Sequence, residues 1–452
     1  MKSSDEFFNC FTLNETHDPQ VTSWVDSAND PETDFPIQNL PLGIFRKRGT
    51  DELPRMGVAI GDYALDVAAC DNAGLLRDVT PEVSHACRRC SLNALMALGN
   101  SHSSSLRRAL WHLLKADGAE SRTNRAAADK CLIPISEVEL LVPANIGDYT
   151  DFYASIHHAT NVGKLLRPDN PLLPNYKWIP IAYHGRASSI IPSGVAVARP
   201  AGQTRSTPGG PVCFGPSARL DYEAEIGFFV GPGNQLGTPI PLSTAEQHIF
   251  GLCIMNDWSA RDIQVWEAQP LGPFLGKSFA TTISPWVVTL EALAPFRVPA
   301  APRSREDPEF LPYLLDADDR AHGSVDLALE VFISSEEMRR SGSQPMRLSR
   351  ERLRDIYWTP AQMVTHHTSN GCNLRPGDLL ATGTLSGAEN DSRGCLLELT
   401  RGGAERIRLS SGETRSFLED GDQVIMRASC EVPNARRIGI GSCCATIRAA
   451  NP

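Results

Sequence analysis

The sequence predicts a mainly β protein, and three observations carry that expectation. In Leu220-Asp-Tyr-Glu-Ala-Glu-Ile226 the acids Asp221, Glu223 and Glu225 alternate with apolar or aromatic residues, which is the period of a strand. Nearer the N-terminus, Met56–Ile60 and Tyr63–Val67 form two β-like runs parted by Gly61-Asp62, a hairpin signal. Beyond Pro143 the chain becomes rich in Gly, Pro and aromatic residues, with many short apolar runs and few long helical patterns.

Taken in order, residues 1–33 carry several acids against the single Lys2 and show no periodicity, so an acidic, poorly ordered extension is expected. Phe7, Phe8, Phe11 and Trp24 argue against complete disorder there. Residues 34–142 read as a small N-terminal β domain whose hairpin is followed by helical spacing over 92–115, where Leu92, Leu95, Leu98, Leu106, Leu110, Leu113 and Leu114 recur. The Ala- and charge-rich stretch 116–130 is expected to end that domain, and Pro134 and Pro143 bracket the crossing into a larger β domain, 143–452. In it, Ser243-Thr-Ala-Glu246 has the capping-box pattern for a short helix through Phe250, and Ser259 is placed to cap a second over 260–267. Residues 296–323, with Pro299, Pro302, Pro308 and Pro312, read as a long surface excursion, and Gly231-Pro-Gly-Asn-Gln-Leu-Gly237 as a turn.

Composition narrows the function. At 452 residues, 41% hydrophobic and 21% charged, the chain has the make-up of an ordinary globular protein of two or more domains. No run of about 18 apolar residues and no secretion signal is present, so a cytoplasmic protein is expected. A net charge of −10 argues against nucleic acid or an anionic membrane as partner. The 12 cysteines are scattered, many in apolar settings such as Leu252-Cys-Ile254, and are expected to be reduced and mostly buried. Cys87-Arg-Arg-Cys90, even with His85 nearby, lacks the second pair that a zinc site requires.

Several stretches can carry chemistry. On a strand, Asp221, Glu223 and Glu225 would share one face with neighbours roughly 7 Å apart. Such a row is either a solvated edge or a binding site for a hard cation, Ca²⁺ or Mg²⁺, and the apolar run Ile226-Gly-Phe-Phe-Val230 favours burial. Asp148–His158 packs two acids, two tyrosines and two histidines into eleven positions, and either His157 or His158 could act as a base near neutral pH. Asp257 ends an apolar run. Arg261 and Gln264 follow at i+4 and i+7, one helical face, with an ion pair to Asp257 or Asp262 as the plainer role for Arg261. Leu271-Gly-Pro-Phe-Leu-Gly-Lys-Ser278 has the wrong glycine spacing for a nucleotide loop and a proline where an amide donor is needed; its use would be to deliver Lys277. There is no Gly-x-Ser-x-Gly elbow. Leu379–Gly387 reads as a Gly/Thr turn, and Leu396-Leu-Glu-Leu399 places Glu398 in an apolar strand, where it could orient a histidine.

Together, the segments Asp148–Asn161, Tyr183–Ser189, Leu220–Phe229, Met255–Gln264, Gly272–Pro285 and Asn370–Gly387, with Asp34–Pro41 upstream, resemble the fumarylacetoacetate hydrolase family. The resemblance covers nearly everything but the acidic extension. It implies an SH3-like N-terminal β-barrel domain, a C-terminal mixed β-sandwich roll and a homodimer acting on a small diketo acid. By the same resemblance Asp151, Glu223, Glu225 and Asp257 are metal carboxylates for Ca²⁺ or Mg²⁺, and Lys277 and Thr281 line the metal region. Tyr153, Arg167, Tyr183, Gln264 and Thr384 correspond to substrate contacts, and His158 to the base.

The implied reaction is hydrolytic cleavage of the carbon–carbon bond of 4-fumarylacetoacetate to fumarate and acetoacetate, the last step of tyrosine and phenylalanine catabolism. His158 would deprotonate water with Glu398 orienting its ring, while Arg261, Gln264 and Lys277 donate to the oxyanion and Arg167 and Tyr153 bind a substrate carboxylate. A divalent cation supplies Lewis-acid stabilisation of the diketone oxygens. The chain departs from the family in having Ala268 where Tyr is usual, Ala280 for Gly and His157 for Gln. The second reading within the superfamily is hydrolysis of an acylpyruvate or related diketo acid; the presence of residues 34–142 favours the first. A structural Ca²⁺ site in a binding protein is the reading outside enzymes, and it leaves His158, Glu398 and Lys277 without a purpose.

Overall fold

The computed structural model of the protein describes residues 12–205, 207 and 209–451. Its N-terminal sheet comprises β1 (Leu42–Lys47), β2 (Arg55–Ile60), β3 (Tyr63–Asp66), β4 (Leu132–Pro134) and β5 (Val138–Leu141), antiparallel throughout in the order β4-β3-β2-β1-β5. The β2–β3 hairpin lies where the sequence places it, with Ile60 opposite Tyr63 and Gly61 at φ 52°. Between β3 and β4 run α1 (Val67–Asn72), α2 (Pro81–Cys87), α3 (Asn93–Leu98), α4 (Asn100–Leu114) and α5 (Ala119–Asp129). The leucine spacing over 92–115 makes two helices, because Gly99 takes φ 85° and turns the chain between α3 and α4. The stretch 116–130 does not end the domain. It forms α5 and returns the chain to β4, which pairs with β3.

From residue 12 to 33 the segment expected to be loose is packed. Trp24 donates its indole N–H to the carbonyl of Leu113 at 2.9 Å, and Trp24, Val25 and Ala28 are buried in the core that includes Leu110 and Leu114. Phe7, Phe8 and Phe11 lie outside the described residues.

Beyond residue 143 follow β6 (Tyr149–Phe152), α6 (Ile156–Leu166), β7 (Ala182–Gly185), β8 (Ile190–Pro192), β9 (Val197–Ala198), β10 (Ala201–Arg205) and β11 (Val212–Pro216). Next come β12 (Leu220–Asp221), β13 (Ala224–Val230), β14 (Ile249–Asp257), β15 (Ser259–Ala260), α7 (Arg261–Glu267), β16 (Thr281–Ile283) and β17 (Val288–Thr289). A mixed eight-stranded sheet has the order β7, β6, Leu379–Ala381, β13, β14, β16, β8, with β17 beside β14. A second sheet of five strands runs Met346–Arg352, Leu327–Ser334, Gln423–Cys430, Ile438–Arg448, β9. Both contribute to one core: Ile226, Phe228 and Ile254 from the first meet Leu329, Val331, Met426 and Ile440 from the second. Each such side chain stabilises the fold by about 1.5–3 kcal/mol on burial.

Two helix starts differ from expectation. Residues Leu242–His248 form a 3₁₀ segment that begins after Pro241 with no side-chain cap, and Phe250 already belongs to β14. Ser259 lies in β15 and its hydroxyl turns back to the carbonyl of Asp257, so α7 begins at Arg261 uncapped. The excursion 296–323 is closed at its base, where Arg297–Val298 pairs with Ser324–Val325. Among the described residues the cysteines are free thiols, most of them buried, and no helix is long and apolar enough to cross a membrane.

Candidate active site

Strand directions bring the acids together. β13 is antiparallel to β14 and to Leu379–Ala381, and β6 is parallel to the latter. The start of β13 therefore lies at the same end of the sheet as the ends of β6 and β14, which places Glu225, Asp151 and Asp257 side by side. Glu223 sits in the two-residue break between β12 and β13 and completes the group. One carboxylate oxygen from each of these four buried residues lies within 4.8 Å of the others. The alternation is thus not a solvated edge: Asp221, Glu223 and Glu225 are all buried. Nor is it one continuous strand, because the break gives the three acids different partners.

Four buried carboxylates this close require positive charge. Lys277 donates its ammonium to Asp257 Oδ2 at 2.7 Å and to Glu223. Burial would depress that ammonium, but Asp257 and Glu223 raise its pKa, so Lys277 has no lone pair for a metal and serves as a counter-charge. Thr281 donates to Asp257 Oδ1 at 2.8 Å and Tyr183 to Asp257 Oδ2 at 2.6 Å, which fixes that carboxylate. For Glu223, burial is outweighed by Lys277 and Arg261, which hold the carboxyl well below its usual range. Asp151 and Glu225 are not so served: burial, then the neighbouring carboxylates, push both well above theirs. Both oxygens of Glu225 and Oδ1 of Asp151 are buried without a hydrogen-bond donor. An all-oxygen cradle with unpartnered buried oxygens fits a hard divalent cation.

The other half of the site is a histidine. Ser155 caps α6 by accepting the N–H of His158, which places His158 in the first turn just after β6. Its Nδ1 lies 2.6 Å from Glu398 Oε2, leaving Nε2 as the uncommitted nitrogen. Glu398 is carried by a helical turn, Leu396–Leu399, and not by the strand expected from Leu-Leu-Glu-Leu. Asn161 and Ser386 also donate to Glu398, each at 2.8 Å. Burial would raise this carboxyl, but His158 and these donors pull it down to about 2. His158, not His157, occupies this position.

Asp221 joins the two halves. Its oxygens accept the N–H groups of Leu396 at 2.8 Å and Leu397 at 2.9 Å, the first turn of the segment that carries Glu398. The same carboxylate accepts Arg261 Nε at 2.9 Å, and Arg261 Nη1 lies 2.5 Å from Glu223 Oε1. The expected pairing of Arg261 with Asp257 or Asp262 does not occur; Asp262 instead holds Ser217 and the N–H of Ala218.

A cavity of about 960 Å³ opens over both halves, lined by Asp151, Glu223, His158, Arg261, Gln264 and Lys277 among others. The remaining expected contacts Tyr153, Arg167, Tyr183 and Thr384 line it too. Two glycines allow this: a Cβ on Gly276 would meet the backbone of Gln264 at 2.8 Å, and one on Gly383 would meet the carbonyl of Phe152 at 2.0 Å. Asn161 and Ser386 escaped the sequence reading. Asn161, at i+3 from His158 on a helix, carried a legible signal, whereas Ser386 and the role of Asp221 depend on tertiary contacts.

Site and fold set a buried His–Glu pair beside a cradle that fits a hard divalent cation, the equipment of a metal-assisted hydrolase. The comparisons are specific. A family profile described as "Fumarylacetoacetate (FAA) hydrolase C-terminal" matches residues 148–448, and one described as "Fumarylacetoacetase N-terminal" matches residues 38–143. The chain is 49% identical to the fumarylacetoacetase of Oryza sativa subsp. japonica over 96% of this chain and 98% of that protein. It is 46% identical to those of Rattus norvegicus and Homo sapiens, over 93% of this chain and 97% of each. A solved fumarylacetoacetate hydrolase from Exiguobacterium antarcticum aligns with 91% of this chain and 99% of its own at 17% identity and TM-score 0.48, too loosely to carry an argument. The chain belongs to the fumarylacetoacetate hydrolase family.

Proposed function

We propose that the protein hydrolyses the carbon–carbon bond of 4-fumarylacetoacetate, releasing fumarate and acetoacetate, the last step of tyrosine and phenylalanine catabolism. One observation carries this reading: the His158–Glu398 pair and the four-carboxylate cradle lie beside a single cavity that His158, Asp151, Glu223, Lys277 and Arg261 line. Relatives named fumarylacetoacetase, matched over nearly their full length, support the choice of substrate.

Asp151, Glu223, Glu225 and Asp257 would hold the cation, with Ca²⁺ and Mg²⁺ both suited to oxygen donors. When bound, it supplies Lewis-acid polarisation of the diketone. His158 takes a proton from water through Nε2 as the hydroxyl adds to the fumaroyl carbonyl, and Glu398 stabilises the imidazolium. Arg261, Lys277 and Gln264 are placed to donate to the tetrahedral oxyanion. When the carbon–carbon bond breaks, the electron pair leaves as the acetoacetate enolate, which takes the proton back. Arg167 and Tyr153 are assigned to a substrate carboxylate and Thr384 to the cavity wall beside it. Tyr183 contacts substrate with its ring, its hydroxyl being engaged by Asp257.

The same reading places a small N-terminal domain at 34–142, preceded by the extension 1–33, and the catalytic domain at 143–452. The two profile matches and the five antiparallel strands support this division and an SH3-like relationship for the first domain. It further assigns a cytoplasmic homodimer. Leu271, Phe274, Leu275 and Val265, exposed apolar residues near the cavity, support an interface. The test is spectrophotometric: the metal-replete protein should consume fumarylacetoacetate and lose that activity on chelation, recovering it with Ca²⁺ or Mg²⁺. Failure of the metal-replete protein to turn over would reject the substrate.

A further inference from the structure

The cavity has a strongly uneven distribution of charge with depth. The acids that line it, Asp151 and Glu223, are both buried at its floor. Its mouth carries Arg167, Arg219 and Arg401, all exposed, with no acid among the residues that line the cavity at that level. This is unexpected in a chain of net charge −10.

Arg219 and Arg401 have no role in the machinery described above. Arg219 immediately precedes β12, and its carbonyl accepts the N–H of Arg261 at 3.0 Å, so the mouth arginine is tied to the oxyanion arginine through the backbone. Among the described residues no hydrogen bond or ion pair engages the guanidinium of Arg219, which lies 5.8 Å from the ring of Phe417, so its donors are available. Arg401 follows the Glu398 turn, with its N–H on the carbonyl of Glu398 at 3.2 Å. It takes φ 49°, a left-handed conformation that a residue with a Cβ adopts at a cost of order 1 kcal/mol. Gly402 and Gly403, also at positive φ, follow at once, so the chain had cheaper residues for this geometry than arginine. The ion pair of Arg401 with Glu405, 3.0 Å long, is solvated on both sides and contributes little.

We propose that Arg219 and Arg401 form a carboxylate-recognition rim that selects dianionic over monoanionic diketo acids. Deep in the site the positive groups are engaged by Glu223, Asp257 and Asp221. Because Arg261 and Lys277 are also the groups assigned to the oxyanion, a second carboxylate on the substrate finds its free partners at the mouth. Two guanidiniums on separate segments offer forked donors to one carboxylate, and three like charges around an opening draw anions in.

This inference rests on the hydrolase activity proposed above, and the test separates the two. Steady-state kinetics of the wild type, R219Q, R401Q and the double variant are compared on fumarylacetoacetate and on an analogue whose terminal carboxyl is a carboxamide. The double variant should lose about tenfold or more in kcat/KM on the dianion, through KM, with kcat within about twofold. The monoanion should be nearly unaffected, and R401K should recover part of the loss. Unchanged KM on the dianion, or equal losses on both substrates, would overturn the proposal. If the wild type does not turn over fumarylacetoacetate, the activity is rejected, and calorimetric titration with fumarate against its monoamide decides the rim. Weaker fumarate binding by the double variant alone supports it, and unchanged binding rejects it.

Discussion

His158 Nδ1 and Glu398 Oε2 lie 2.6 Å apart, although 240 residues separate them in the chain. The contact commits one ring nitrogen and leaves the other facing the cavity. Glu398→Gln keeps the shape but removes the charge that supports the imidazolium. We expect kcat to fall by about 10²–10⁴-fold with bound metal unchanged, measured by turnover and metal analysis on the same sample. A loss of metal in step with activity would mean that Glu398 acts on the cradle.

If the cradle holds a cation as proposed, the metal-free protein should be the less stable form. Asp151 and Glu225 are raised by burial and by like charge, so a cation that neutralises the cluster should raise Tm. The gain should be about 2.7 kcal/mol when its concentration is 100 times Kd. Glu225→Gln imitates the neutral carboxyl that burial and the neighbouring carboxylates favour in the metal-free protein. It should raise the Tm of the chelated protein while weakening metal binding and activity together; a chelated variant less stable than the chelated wild type would count against this account of the charges.

Asp221 binds both the Glu398 turn and Arg261, so its loss should disturb two functions at once. Asp221→Asn presents a side-chain N–H₂ where only donors converge. We expect destabilisation on the order of 3–5 kcal/mol by denaturant unfolding, as for a broken buried ion pair, together with a reduced kcat. Combined with Glu398→Gln, the second substitution should add little to the loss of kcat. Fully multiplicative losses would separate Asp221 from the His158–Glu398 pair.

Glu351 supplies a pH signature away from the site. Its carboxyl is fully buried, and burial outweighs the contacts with Ser349 and its own N–H and pushes its pKa up to about 8. A carboxyl raised in the folded state contributes stability that is fully present below its unfolded pKa of about 4.3 and is lost as pH rises toward 8. Glu351→Gln imitates the protonated form. It should leave Tm nearly unchanged at pH 4 and raise stability at pH 8 by a few kcal/mol; no difference between the two pH values would contradict a neutral buried Glu351.

The sequence made the chemistry more legible than the geometry. Acids at every second position, a histidine in an acid- and tyrosine-rich segment and a loop delivering Lys277 were all visible as local patterns. The Leu-Leu-Glu-Leu run misled because four residues fit a strand or a helical turn equally, and the choice is made by Asp221, some 175 residues away, which caps the turn. The packing of residues 12–33 was likewise hidden, since Trp24 finds its partner only through the tertiary contact with Leu113. The capping pattern at Ser243 was overridden by Pro241, whose fixed φ opens the 3₁₀ segment without a side-chain cap.

The central claim is that His158 is the base that activates water for cleavage of fumarylacetoacetate. The most direct test is the hydrolysis rate of metal-replete His158→Ala beside the wild type, with metal content and Tm measured on the same preparations. The account predicts a fall of at least about 10³-fold with metal content retained. Hydrolysis at the wild-type rate by that variant would contradict it.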